Sequence, residues 1–74
     1  MRLDRYLANA GIGTRKEVKK LIKEKHVKID DVFITDYDFN VDFNTHVYLD
    51  NNLDNFKELY YNVVDDTYIY EIVQ

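Results

Sequence analysis

Arg15, Lys16, Lys19, Lys20 and Lys23 place five cations within nine residues of this 74-residue chain. On a helix with Arg15 set at zero, Lys19, Lys23, Lys16 and Lys20 stand at roughly 40°, 80°, 100° and 140°. Val18, Leu21 and Ile22 fall between roughly 240° and 340°, on the opposite side. Arg15 and Lys16 would occupy the first turn, where the helix dipole disfavours positive charge. Like charges also recur at i, i+4 in Arg15/Lys19, Lys16/Lys20 and Lys19/Lys23, each a small cost to the helix. Packing explains neither cost, whereas a bound anion explains both. Unpaired N–H groups at a helix start, joined by Arg15 and Lys16, have the chemistry of a phosphate site.

The net charge of the whole chain is −4, which hides a division. Residues 1–28 carry nine Lys/Arg and three acids, a net +6, while residues 29–74 carry one Lys and eleven acids, a net −10. A solvated, dipolar surface is the plain reading of such a split; a polyanion partner for the first part alone is the sharper one. The cations face away from the apolar stripe and load the wrong end of the helix, which favours the polyanion.

Other chemistries find little support. There is no Cys, which fits a reducing compartment, and two histidines, His26 and His46, do not make a metal centre. No metal and no cofactor is expected, and the histidines read as surface or strand-end residues. "GIGT" at 11–14 lacks the strand and glycine spacing of a nucleotide loop. Asp65-Asp66 reads as a turn and not as an acid–base pair. The seven tyrosines, mostly in the acidic part, read as core and sheet residues before base-stacking platforms. No apolar run approaches the roughly 18 residues of a membrane span. "MRLDRYL" has no apolar stretch of signal-peptide length, so a cytoplasmic location and no membrane partner are expected.

The elements that would position the cations follow from periodicity. Leu3, Tyr6, Leu7 and Ala10 line one face of a helix, and Gly11 sits where a left-handed residue would end it. Thr14 with Glu17 three residues on predicts a capping box opening a second helix. Ile12 is the expected plug between the two. After Lys25 the period becomes two: "HVKID", "DVFIT" and "HVYLD" predict short strands, with tight turns at Asp30-Asp31 and Asn51-Asn52. Residues 36–45 read as a loop, with an extended piece around Phe39 to Val41. Residues 53–74 are expected to form a hairpin turning at Asp65-Asp66, with Tyr68, Tyr70 and Ile72 on one side. A helix starting from Asp54 is the alternative for the first part of that stretch.

"RLDRYLANAGIGTRKEVKKLIKEKHVKIDD" resembles the alpha-L RNA-binding domain, the module shared with small-subunit ribosomal protein four. The likeness covers residues 1–51 and is most specific in 1–24, where it is most similar to the N-terminal domain of bacterial small-subunit ribosomal RNA pseudouridine synthases. The resemblance implies an α+β fold, with two N-terminal helices packed on a small antiparallel sheet and residues 52–74 as an acidic, tyrosine-rich extension. It implies structured RNA as partner, small-subunit ribosomal RNA in particular, and a catalytic domain in cis. Arg2, Arg5, Thr14, Arg15, Lys19, Lys20 and Lys23 stand where the motif places its RNA-facing residues. Lys16 joins them from the wheel, and Asp4 is expected to orient an arginine.

Three departures stand out. Lys25 replaces a glycine usual at the end of the second helix, Asp30-Asp31 an Asn-Gly turn, and Asn44-Thr45 a Gly-Asp. Carboxylates at Asp30 and Asp31 would repel a phosphate backbone passing that edge. Nothing in residues 52–74 resembles a synthase catalytic domain, and Asp4 is not read as its nucleophile, so no enzymatic activity is expected of these residues. The competing expectations are a free-standing RNA-binding module, a protein-interaction module using the acidic second part, and a DNA-binding helix-turn-helix. The last suits the short glycine turn but lacks the Asn, Gln, Ser or Thr that read base edges.

Overall fold

The computed structural model of the chain describes residues 1–52 and 55–72, with side chains for 1–50 and 56–71. Two helices, α1 (Leu3–Asn9) and α2 (Arg15–Lys23), precede five strands: β1 (Val27–Ile29), β2 (Val32–Phe33), β3 (Val47–Asn52), β4 (Asn55–Asn62) and β5 (Thr67–Ile72). The strands form one antiparallel sheet in the order β2-β1-β3-β4-β5. This is the expected α+β arrangement, with β4 and β5 extending the sheet beyond β3.

Both helices end in the same way. Beyond α1, the N–H of Gly11 donates to the carbonyl of Ala8 and that of Ile12 to Leu7, with Gly11 at φ +82°. Beyond α2, Lys25 donates to Ile22 and His26 to Leu21, with Lys25 at φ +64°. Each is a Schellman motif, whose left-handed residue satisfies the last carbonyls. Glycine holds that conformation without cost; the lysine holds it against the clash of its Cβ with the backbone. The capping box at α2 is formed in both directions, Glu17 N–H to Thr14 Oγ1 and Thr14 N–H to Glu17 Oε1.

The β1–β2 connection has two residues, Asp30 and Asp31, at φ +53° and +63°. Positive φ at both central positions is what a right-twisted hairpin demands, and Asp tolerates it. β2 is shorter than the expected 31–35. The expected reversal at Asn51-Asn52 is corrected: β3 runs on through Asn52, which pairs with Asn55 after a register shift beyond Asp50. The helix alternative is corrected as well, because residues 55–62 form a strand; its proposed cap, Asp54, lies outside the described residues. Alternating Leu59 and Tyr61 toward the helices explains the choice, since period two buries one face of a strand.

The β4–β5 hairpin turns through residues 63–66, with Asn62 opposite Thr67 and Asp66 at φ +54°. Tyr68 and Tyr70 face the core; the side chain of Ile72 lies outside the described residues. The core lies between the helices and one sheet face: Leu3, Tyr6, Leu7, Val18 and Ile22 from the helices, Val27, Ile29, Val47, Leu49 and Leu59 from the sheet, and Val41 from the loop. Ile12 packs against it as expected. Tyr6 meets Tyr68 edge-on at 5.5 Å, and burial pushes its phenol up to about 12.

Replacing Thr14 by Ala is expected to lower stability by about 1 kcal/mol through loss of the cap. Replacing Lys25 by Gly is expected to raise it by about 0.5–1 kcal/mol, because the left-handed position no longer carries a Cβ. Denaturant unfolding of the two variants measures both, and the opposite signs make the comparison internal.

Candidate nucleic-acid interface

The cationic surface runs from the N-termini of the two helices along the length of α2. Arg2 is the N-cap of α1 but makes no side-chain cap. The first N–H groups of α1 are satisfied by the loop between β2 and β3, Leu3 donating to the carbonyl of Phe39 (2.8 Å) and Asp4 to that of Tyr37 (3.0 Å). Arg2 also bridges to Asn40, the extended piece expected near Phe39–Val41. The Met1 ammonium donates to Asn40 Oδ1 and the Val41 carbonyl. The chain start is thereby held against the loop, and Arg2 with it.

Asp4 sits at the centre. Its side chain is fully buried, yet it contacts two arginines whose own side chains are about half exposed. Arg2 reaches both carboxylate oxygens, Nε at 3.3 Å from Oδ1 and Nη2 at 3.4 Å from Oδ2. Arg15 Nη2 donates to Oδ2 at 3.2 Å, and the Arg5 backbone N–H donates to Oδ1 at 2.8 Å. Paired guanidinium–carboxylate contacts of this kind fix direction as well as distance. Burial raises the pKa of Asp4, but the hydrogen bonds from Arg15 and Arg5 and the charges of Arg2 and Arg15 outweigh it and leave it below its ordinary 3.8. The expected role, orienting an arginine, is extended: Asp4 orients two, one from before each helix's first turn or within it.

Tyr37 is the residue that sequence reasoning missed. It is exposed, and its ring receives Arg2 Cζ at 5.2 Å and Lys19 Nζ at 4.7 Å from the centroid. Such cation–π contacts restrain two long side chains that would otherwise wander. The contacts of this loop with the first turn of α1, through the carbonyls of Tyr37 and Phe39, put the residue beside the helix; no spacing in the sequence reports it. It stands as a correction to the expectation that the tyrosines serve core and sheet.

Arg5, Lys16, Lys20 and Lys23 are exposed, and their side chains make no hydrogen bond or ion pair among the described residues. The two acids of the same stretch are turned elsewhere. Glu17 is committed to Thr14, whose backbone and side-chain hydrogen bonds hold its carboxyl below the ordinary value. Glu24 lies 3.8 Å from His26 Nε2. Val18 and Ile22 are buried and Leu21 half-buried, so the wheel's division into cationic and apolar faces holds. Thr14 is exposed at the cap, beside the first-turn N–H groups of Arg15 and Lys16.

Lys19, Lys20 and Lys23 line one side of an open groove, with Thr35, Asp36, Tyr37 and Asp38 on the other. The helix side attracts an anion and the loop side repels one. A somewhat larger depression, about 660 Å³ against about 550 Å³, is lined by Asp30, Asp31, Asp42, His46 and neighbours, without Lys or Arg. Size does not decide between them: the carboxylates exclude a polyanion from the larger one. Among the described residues no group of three or more His, Cys, Asp or Glu could hold a metal ion, and no helix is long and apolar enough to cross a membrane.

Because the pKa of Asp4 is lowered on folding, its ion pairs add stability above the unfolded value and lose it as pH falls through the folded one. Acidification below about pH 4 is therefore expected to destabilise the chain. Asp4→Asn should cost about 2 kcal/mol at neutral pH and flatten that acid limb, as read by thermal melts across pH.

No curated protein and no solved structure matches the chain. The S4 domain family model matches residues 1–47, which include both helices, β1, β2, the loop that carries Tyr37 and every cation of the surface described above. The chain belongs to the S4 domain family and is an RNA-binding module.

Proposed function

We propose that the module grips the phosphate backbone of structured ribosomal RNA through the outward face of α2 together with Arg2 and Arg5. The observation that supports this most is the state of the cations. Among the described residues Lys16, Lys20, Lys23 and Arg5 are unpaired and exposed, while Arg2, Arg15 and Lys19 are held in place by Asp4 and Tyr37. Fixed charges set the orientation of a polyanion and free ones adapt to it. Thr14 and the open N–H groups behind it would take one phosphate at the start of α2. A surface of Lys and Arg without base-reading amides suits RNA recognised by shape and backbone.

The likeness of residues 1–24 to ribosomal pseudouridine synthases supports a finer reading. The module would act in the cytoplasm as the N-terminal targeting domain of such an enzyme, delivering a catalytic domain to small-subunit ribosomal RNA. The chemistry would then lie outside residues 1–74.

Reversal of the three unpaired helix charges, Lys16→Glu, Lys20→Glu and Lys23→Glu together, is expected to leave the fold intact and weaken RNA binding by about 100-fold or more. The slope of log affinity against log salt should shrink by about one per lost phosphate contact. Arg15 is left in place because its reversal would also strip Asp4 of a partner. Unchanged affinity of the triple variant would end the proposal, as would equal binding to duplex DNA at matched salt. Crosslinking of the chain to cellular RNA should map to small-subunit ribosomal RNA; crosslinks scattered over other transcripts would overturn the ribosomal target alone.

A further inference from the structure

The sheet face turned away from the helices carries its own pattern. Strand registers place Phe33, Lys28, Tyr48, Glu58 and Glu71 opposite one another in turn, a single row crossing all five strands. At about 4.8 Å per strand, the row is about 19 Å long. Glu58 and Glu71 stand directly opposite as like charges, an arrangement that costs a sheet stability. Tyr60, one step along, hydrogen-bonds Glu71 and stacks on His46, whose ring contacts Glu58. Desolvation, then the Glu58 and Glu71 carboxylates, raise the pKa of the Tyr60 phenol; desolvation, then Glu58, Asp31 and Asp30, raise that of Tyr48. The face is therefore aromatic and negative at once.

Two further observations bear on the kind of group this face accepts. The face already holds a cation: Lys28 Nζ lies 5.2 Å from the Phe33 ring centroid and 4.5 Å from that of Phe56. Asp50, which strand alternation puts on this side next to Phe56, is 6% exposed, and its Oδ1 has no hydrogen-bond partner. This buried carboxylate adds to the negative charge of the outer side of the sheet.

We propose that this outer face docks a lysine- and arginine-rich polypeptide segment, laid along the row across the strands. Extended chain rises about 3.3 Å per residue, so about six residues span the row. Their cationic heads would meet Glu58 and Glu71, and their aliphatic stems and guanidinium planes would lie on the rings of Tyr48, Tyr60 and Phe33. Nucleic acid is excluded by the same carboxylates. The face lies across the sheet from α2, so a basic protein and an RNA could be held together. The proposal stands independently of which RNA is bound.

The test is titration of the isotope-labelled full chain with a hexa-arginine peptide, followed by amide chemical shifts. Shifts centred on Lys28, Tyr48, Glu58, Tyr60 and Glu71 are expected, with Glu58→Gln/Glu71→Gln weakening binding about tenfold or more. Asp36→Asn/Asp38→Asn, an equal change of net charge elsewhere, should leave the peptide affinity unchanged. The Glu58→Gln/Glu71→Gln variant should bind RNA as the parent does, and Asp36→Asn/Asp38→Asn, which removes the anion-repelling side of the groove beside α2, should bind it no more weakly. Glu71→Lys alone, at an exposed position, serves if the first variant fails to fold. Shifts centred elsewhere, or equal affinity of the Glu58/Glu71 variant, overturn the proposal. So does spermine matching the peptide in both shifts and affinity, which assigns the face to polyamines. Self-association that moves the same resonances and is abolished by Lys20→Glu/Lys23→Glu assigns it to a second copy.

Discussion

A single carboxylate ties the functional surface to the fold. Asp4 is buried in the first turn of α1 and takes Arg2 from one side and Arg15, at the start of α2, from the other. Without it, two guanidinium groups brought close together would repel, and the N-termini of the helices would have no polar link. An acid inside a basic surface lowers the total positive charge, yet it raises the usable charge by fixing where that charge points. The arginines stay about half exposed, so the pairing leaves part of each free to meet an anion.

Around this link the charge separates by layer. The helices cover one face of the sheet and present their cations outward, while Glu58, Glu71 and the aspartates of the β1–β2 turn belong to the sheet and its edge. The total of −4 is the residue of two opposed surfaces and describes neither. A small domain has room for both because its core needs only one side of the sheet.

Much of this was legible in the chain itself. Thr14 and Glu17 announce the start of α2, Gly11 the end of α1, and the spacing of Val18, Leu21 and Ile22 fixes which way the lysines face. These signals are local, each spanning a few residues and acting through backbone hydrogen bonds that the same residues make. The Asp30-Asp31 and Asp65-Asp66 turns were legible for the same reason. What escaped depends on distant partners. Tyr37 meets Lys19 only because the loop carbonyls at 37 and 39 cap α1, and β3 continues past Asn51 only because β4 is there to pair with it. The cross-strand row of the outer face is likewise a product of register, which no window along the sequence contains.

Helix α2 is secured independently of the residues it shows to solvent. Its start is held by Thr14 and Glu17, its end by the Schellman bonds of Lys25 and His26, and its flank by Val18 and Ile22. Lys16, Lys20 and Lys23 contribute nothing to any of these. Their identities are therefore nearly neutral for folding and visible only to whatever binds there. Descendants of this sequence could exchange them one at a time, trying new targets without passing through an unfolded intermediate. The architecture uncouples inheritance of the shape from inheritance of the preference, which lets one small scaffold diversify in what it recognises.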